Sequence, residues 1–463
     1  MMKKILTSIF IAFHGLVLIA QSDDDALFIK QLHSYALKEG KAYQWLDTLC
    51  LKAPGRIAGS KSSSIAEQYM LEVLQSLKPD TVFLEPCETK SWMRGSIEIV
   101  ETIDQHGNRH ELHTCALGNS IGTAGEMISG ECVEVLSLDQ VDSLGNSLKD
   151  KIVFFNRPMD PSLVNTFHAY GSAVDQRVWG ASRAAKYGAK AVIVRSMTNK
   201  IDTVPHTGTL VYIDSLPKIP AMAISTLDAE KLSEKLKNEN ITINLASSAQ
   251  PGAASVNYNV IAEWRGKQFP EEIIVFGGHI DAWDMGAGAH DDGAGCIHAV
   301  DAINILLAQN YLPKRTLRVV LFANEENGLA GGKTYAENSN KRNEKHLAAI
   351  ESDTGGFVPR ALSFDSETSL LIDYMRYVNQ WLPLFETYDL NFKQAGSGAD
   401  INPLKSQGSL LIGLRVDPQK YFDFHHTKND QIYNVNQREL ELGAATMASI
   451  IYLLDKYGLE TKN

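Results

Sequence analysis

Cysteine is scarce in this sequence and poorly placed for chemistry. Five cysteines (Cys50, Cys87, Cys115, Cys132 and Cys296) lie scattered along 463 residues, with no Cys-x-x-Cys or similar spacing, which excludes a thiolate metal site or a dithiol redox motif. One disulfide is compatible with an exported chain, but no spacing names its partners. Cys296 sits in an apolar helical stretch and reads as core packing. Internal repeats and low-complexity tracts are absent. Positive charge is in deficit: the formal net charge is -11, which argues against nucleic acid or an anionic membrane surface as the main partner. A sustained membrane span is also missing, since the longest apolar run, Ile5 to Ala20, falls short of the roughly 20 residues a span requires. What remains is a chain with 44% hydrophobic and 21% charged residues, long enough for two or three domains and a large core.

That apolar run is preceded by Lys3 and Lys4 and followed by Gln21-Ser22-Asp23-Asp24-Asp25. A basic start, a short apolar core and a small residue before a polar switch predict a secretory signal peptide over residues 1–20, cleaved after Ala20. The expected location is secreted or periplasmic.

Two helices are predicted between about Ala26 and Leu77, joined by the loop from Lys52 to Ser60, with the serines up to Ser64 available as a cap. Thr81 to about Cys115 alternates as strands do. Between Gly125 and Ala249, short apolar strands around 151–155 and 191–194 flank a helix ending at Gly188, a small α/β unit. From Ser255 onward, four buried-strand runs (271–276, 316–322, 346–350 and 409–414) alternate with helices over 294–310, 366–381 and 437–457. Strands alternating with helices predict an α/β/α sandwich around a largely parallel sheet.

Ligands of such sheets bind beyond the carboxyl ends of the strands. Three predicted strands end in chemistry there: His279 and Asp281 after the first, Glu325 and Glu326 after the second, Asp353 after the third. Asp291-Asp292 precedes the helix at 294. Each motif alone is weak: with 13 histidines, a His-x-Asp arises by chance about once, and an Asp pair before a helix is usually a cap. Their convergence on one edge is the informative feature. Two zinc ions carry four positive charges, which three carboxylates largely offset while two neutral imidazoles complete the ligands. One carboxylate must bridge the metals, about 3.5–4 Å apart, and another must act as general base. Of Glu325 and Glu326, one can bind metal while its neighbour handles protons. The last ligand should be a histidine near the C-terminus, where His425 and His426 both qualify. His206, His290 and His298 read as structural or surface residues. The 286–288 glycine stretch lacks the spacing of a dinucleotide motif.

Gly278-His279-Ile280-Asp281, His290-Asp291-Asp292-Gly293, Asn324-Glu325-Glu326-Asn327-Gly328, Glu351-Ser352-Asp353 and His425-His426-Thr427 together resemble the co-catalytic zinc exopeptidases. That family includes secreted bacterial aminopeptidases, glutamate carboxypeptidase II and the transferrin receptor. Gly398-Ala399-Asp400-Ile401-Asn402-Pro403 and Phe422-Asp423-Phe424-His425-His426 resemble its carboxypeptidase Q branch in particular. The likeness covers nearly all of the mature chain, with Arg56-Ile57-Ala58-Gly59-Ser60 a weaker match. It implies a peptidase domain over residues 21–124 and 250–463, with a protease-associated domain inserted at 125–249. It also implies a ligand set: His279 and Asp353 on one zinc, Glu326 and His426 on the other, Asp291 bridging, Glu325 as base and Asp281 orienting His279. A cis peptide is implied after Asp291, and Asp400 is a candidate for shaping the pocket of the substrate's N-terminus. The implied activity is hydrolysis of dipeptides or short peptides with a free N-terminus. A broad aminopeptidase, a non-catalytic binding protein and a glutaminyl cyclase are the alternatives. The expected partners are a short peptide substrate and, from the resemblance, a second copy of the chain, with no nucleic acid and no membrane beyond export.

Overall fold

Burial on both faces of the C-terminal strand runs builds the central sheet. The computed structural model describes residues 17–459; the expected signal peptide, residues 1–20, lies almost wholly outside them. Three helices open the described chain: α1 (Val17–Glu39), α2 (Ala42–Lys52) and α3 (Lys61–Ser76). The sequence predicted two helices after Ala26. The extra break falls at Gly40, where a Cβ would stand 2.3 Å from the Ala36 carbonyl oxygen. Ser60 caps α3 by accepting from the Ser63 amide, which satisfies one otherwise orphaned donor.

Strand β1 (Thr81–Met93) follows, and then the chain leaves for a second sheet. That sheet comprises β2 (Glu98–Ile103), β3 (Arg109–Glu111), β4 (Thr114–Ala116), β5 (Ile128–Val135), β6 (Ile152–Phe155), β7 (Ala191–Arg195), β8 (Ala221–Ile224) and β9 (Thr242–Ser247). Its order is β3-β2-β9-β5-β6-β7-β8-β4, with β5 to β8 parallel. Helices α4 (Leu138–Leu144), α5 (Thr166–Gly171), α6 (Asp175–Ala185) and α7 (Thr226–Leu236) accompany it. It begins at Glu98, upstream of the expected 124/125 boundary. Strand-like alternation runs on past Met93, but Gly95, at φ +77°, turns the chain out of the first sheet.

The chain returns in β10 (Gln250–Trp264), antiparallel beside β1. Then come β11 (Phe269–His279), α8 (Ala294–Ala308), β12 (Arg315–Phe322), α9 (Ala330–Lys341), β13 (Lys345–Ser352), β14 (Pro359–Asp365), α10 (Thr368–Val378), α11 (Leu382–Glu386), β15 (Asn391–Gln394), β16 (Leu410–Val416) and α12 (Gln437–Tyr457). The sheet order is β1-β10-β12-β11-β13-β16-β14-β15. Its central strands β12, β11, β13 and β16 run parallel, whereas β10 and β14 join them antiparallel. Alternate residues of β11 serve opposite layers: Ile274 and Phe276 pack with α8 and α12, Ile273 and Val275 with Tyr335 and Ala336 of α9. Each such fully buried side chain contributes about 1.5–3 kcal/mol. This is the α/β architecture expected of a peptidase domain. All five cysteines are buried and free. Among the described residues, no helix is long and apolar enough to cross a membrane.

Two histidines far from the strand-end cluster make the fold acid-sensitive. His33 on α1 stacks on Tyr388 at 3.8 Å, and its Nε2 is buried without a partner. His346 on β13 lies between the Tyr335 hydroxyl (2.8 Å) and Gln407 (3.0 Å). Burial pushes each imidazole down to about 4. Between an unfolded value near 6.5 and pH 4, the unfolded chain therefore binds more protons, so stability is present above 6.5 and falls with falling pH. Each histidine should forfeit roughly 2.5 kcal/mol between pH 7 and 4.5. In urea titrations, His33→Phe is expected to lose less stability than the parent over that interval, by about that amount. Equal losses would show that His33 is not held neutral.

Candidate metal centre

Because β11, β12 and β13 are parallel neighbours, their carboxyl ends open on one edge. His279 ends β11, Glu325 and Glu326 follow β12, and Asp353 follows β13. Asp291 comes from the irregular turn before α8, joined to Asp292 by a cis peptide. Gly278 makes this turn possible: a Cβ there would stand 2.2 Å from Asp292 Oδ2. His426 arrives from the segment after β16, in the left-handed region at φ 61°.

The Asp291 carboxylate stands between two histidines. Its Oδ1 lies 3.2 Å from His279 Nε2, and its Oδ2 lies 3.2 Å from His426 Nε2. Asp353 Oδ1 is 3.6 Å from the same His279 nitrogen, and Glu326 Oε2 is 3.1 Å from the same His426 nitrogen. Two ligands held about 2.0 Å from one tetrahedral ion stand about 3.3 Å apart, and these separations fit that spacing. Asp291 Oδ2 and Glu326 Oε1 are also buried without any hydrogen-bond partner, a costly state that a cation relieves. Ligand-capable atoms of His279, Asp291 and Glu326 gather within 4.8 Å, as do those of Asp291, His425 and His426. A third group, His279, Asp292 and Asp353, overlaps them. Asp292 is already engaged: Oδ2 accepts from the His279 amide and Oδ1 from the Gly295 amide, both at 3.0 Å. The oxygen and nitrogen donors fit two zinc ions per chain.

Proton affinities point the same way. Burial pushes Glu326 up to about 7, and Asp291 beside it adds to the push. Burial lowers His426, but Glu326 and Asp291 outweigh it and raise the imidazole to about 9. His279 is lifted well above its ordinary value: burial opposes the rise, and Asp291 and Asp353 overcome it. Burial would raise Asp291, yet contact with His279 and His426 carries it well below the carboxylate range. The cluster retains positive charge strongly, and metal binding there must release protons.

Neighbouring residues hold this geometry. His279 Nδ1 faces the Asp281 carbonyl at 3.1 Å, so the contact that orients the ring is with the backbone of Asp281; its carboxylate is 3.8 Å away. That carboxylate instead accepts from the amides of Glu325 (2.9 Å) and Glu326 (3.3 Å). His426 Nδ1 faces the Thr207 carbonyl at 3.3 Å, from the segment between β7 and β8. Such contacts select the ring nitrogen left for a metal. Sequence reasoning missed Asp430, whose carboxylate accepts from the His290 (2.7 Å) and Asp291 (3.1 Å) amides. Burial and nearby Asp291 push it up to about 7. Arg56, fully buried, donates to the carbonyls of Ile280, Ala287 and Gly288 at 2.5–2.8 Å. No local pattern marks either as part of the site, because each acts on backbone distant in sequence.

His425 stacks on His426 at 3.5 Å and lies 3.6 Å from Asp291 Oδ2. It packs against Tyr170, Tyr421 and Phe422, and burial beside His426 pushes it well below its ordinary value. His290 and His298 are buried in structural contacts, with the Asn434 carbonyl (3.2 Å) and the Ser352 hydroxyl (2.9 Å). His206 is buried as well. Asp400, expected at the pocket of the substrate's N-terminus, is instead 1% exposed. It sits in the turn whose Ala399 and Ile401 amides donate to the Glu351 carboxylate. Asp400 is not among the residues that line the cavity.

That cavity, about 420 Å³, has His279, Asp291, Glu325, Glu326, Asp353 and His426 on one side. Asn119, Tyr170, Arg177, Thr209 and Val211 face them from the second-sheet region. Residues 259–451 match the model of peptidase family M28. Carboxypeptidase Q of Bos taurus is 32% identical over 437 residues, 94% of this chain and 90% of that protein. The crystal structure of a peptidase M28 precursor from Shewanella amazonensis is 32% identical, with a TM-score of 0.89 over 96% of this chain and 99% of that one. A zinc aminopeptidase from Bacillus subtilis shares the fold, with a TM-score of 0.64 at 19% identity over 89% of this chain and 94% of that one.

Proposed function

The chain belongs to peptidase family M28, a zinc-dependent exopeptidase, and from that premise we propose that it acts as a dipeptidase on short peptides with a free N-terminus. The observation that carries the reading is the cavity of about 420 Å³, at the small end of ligand sites, walled by residues from both sheet regions. The likeness to carboxypeptidase Q supports it. In this reading the region from Glu98 to Ser247 is the inserted protease-associated unit. What supports that is its place between β1 and β10, neighbours in the peptidase sheet.

We assign His279 and Asp353 to one zinc and Glu326 and His426 to the other, with Asp291 spanning both. His426 is preferred to His425 because it meets two carboxylates at 3.1 and 3.2 Å, where His425 meets one at 3.6 Å. Zinc, when bound, supplies Lewis acidity for the scissile carbonyl and for the attacking water. Glu325 takes the proton from that water and returns it to the leaving amine. Asp281 holds the Glu325 and Glu326 amides so that the two side chains keep separate tasks. The wall of Tyr170, Thr209 and Val211 confines the peptide and limits water at the reacting bond.

A second reading, an aminopeptidase for longer peptides, draws on a neighbouring cleft of about 560 Å³ along β1 and β10, which shares Asn327 and Gly328 with the site cavity. Mass spectrometry of products from a free dipeptide, its N-acetylated form and a tetrapeptide, each with and without a zinc chelator, separates the two. Chelator-sensitive cleavage of the free dipeptide alone is expected. Stepwise trimming of the tetrapeptide from its N-terminus would replace the dipeptidase reading with the second.

A further inference from the structure

The two histidines of the metal centre are held from different parts of the molecule. His279 Nδ1 faces the Asp281 carbonyl on its own loop, whereas His426 Nδ1 faces the Thr207 carbonyl, 219 residues away in the second-sheet region. Thr207 grips His426 twice, because its amide also donates to the His426 carbonyl at 3.1 Å. His426 lies at φ 61°, a region that residues other than glycine enter at a cost and keep only when their surroundings enforce it. Gly208 permits the close approach: a Cβ there would stand 2.7 Å from His426 Nδ1. Whatever seats Thr207 therefore acts on the metal ligand.

Arg94 does so. It follows β1, just before the turn at Gly95 that takes the chain into the second sheet. All five of its N–H groups are engaged. Nε and Nη2 form a bidentate pair with the Asp284 carboxylate at 2.8 and 2.6 Å. Nη1 donates to the Glu98 carboxylate at 2.9 Å and the Ala116 carbonyl at 2.7 Å, and Nη2 also donates to the Thr207 hydroxyl at 3.3 Å. That hydroxyl, fully buried, donates in turn to the Ala116 carbonyl at 2.8 Å. Asp284 lies on the loop that follows His279, so one side chain joins that loop to the residue gripping His426. A second route runs through rings: the guanidinium carbon is 5.1 Å from the centre of the Trp92 ring, Trp92 meets Trp283 edge-on at 6.0 Å, and Trp283 meets His426 at 5.7 Å. With every donor committed, Arg94 has none left for a substrate.

We infer that Arg94 is a positioning residue for one zinc ion only: it seats Thr207 so that His426 presents Nε2 to the ion shared with Glu326, while the ion held by His279 and Asp353 does not depend on it. This rests on the assignment of His426 as a ligand. Removing an outer partner of a metal-bound histidine costs about 10- to 100-fold in metal affinity. Zinc titration of the chelator-stripped full chain, in competition with a chromophoric chelator, reads the two ions separately. In Arg94→Met one ion is expected to weaken by that factor while the other keeps the parent's affinity. In a His426→Ala background, where a single ion remains, adding Arg94→Met should leave its affinity unchanged. A merely structural role would lower the melting temperature and weaken both ions or neither, and either pattern overturns the inference. Should Arg94→Met fail to fold, Thr207→Val, which deletes the hydroxyl and keeps the backbone contacts with His426, decides by the same readout, with an expected loss of about 10-fold at one ion. Two ions retained in His426→Ala alone would overturn the ligand assignment and the inference together. One ion lost there, with both held normally in Arg94→Met, overturns the inference and leaves the assignment standing.

Discussion

Asp291→Asn is expected to lower zinc content from two ions per chain to one or none and to reduce kcat/KM by at least about 10⁴-fold. Two doubly charged ions about 3.7 Å apart repel on a scale of roughly 18 kcal/mol even at an effective dielectric of 20. A bridging anion close to both is the main local relief. Asp291 is the only side chain at the centre with an oxygen 3.2 Å from each of His279 Nε2 and His426 Nε2 among the described residues. The amide of Asn keeps the volume and offers one neutral oxygen, so at most one metal remains well held. Its backbone amide still donates to Asp430, so the turn before α8 should survive and circular dichroism should not change. Inductively coupled plasma mass spectrometry gives the stoichiometry. A variant that keeps two zinc ions and more than a tenth of the parent activity would show that another group bridges them.

The convergence of ligands on one edge is legible in the sequence because short apolar runs, broken by helical stretches, predict parallel strands, whose ends share an edge. His279, Glu325, Glu326 and Asp353 fall at those ends by register alone. What is hidden is orientation and long-range contact. His425 and His426 are neighbours of one type, and only their placement shows that one meets two carboxylates and the other one. Asp281 was expected to orient His279, and the sequence does not say by which of its groups. Its carbonyl has that contact, while its carboxylate holds the two glutamate amides. Asp400, a candidate for shaping the pocket of the substrate's N-terminus, is buried, which the Gly-Ala-Asp sequence does not reveal. Arg56 and Asp430 hold backbone 224–232 and 139–140 residues away along the chain, and Arg177 lines the cavity from the second-sheet region, so no spacing rule finds them. The start of the second sheet at Glu98 is masked because alternation looks the same on either side of the turn at Gly95.

Glu325→Gln should separate the two adjacent glutamates. If Glu325 moves protons and Glu326 binds metal, the Gln variant at 325 loses about 10²–10⁴-fold in kcat while KM and zinc content stay near the parent's. Glu326→Gln should instead lose zinc along with activity. The structure supplies the reason for the difference. Glu326 Oε2 lies 3.1 Å from His426 Nε2, inside the ligand cluster, whereas Glu325 lines the cavity and accepts no hydrogen bond through its side chain among the described residues. Burial, with Asp353, Glu326 and Asp281 nearby, pushes Glu325 well above the ordinary carboxylate range, the direction a base needs to bind a proton near neutral pH. Neither substitution touches the backbone amides that Asp281 holds, so the loop after β12 should keep its shape in both. Single-turnover kinetics on a dipeptide, with metal analysis of the same samples, reads the result. Zinc loss from Glu325→Gln would make that residue a ligand, and undiminished turnover would place the base elsewhere in the cavity.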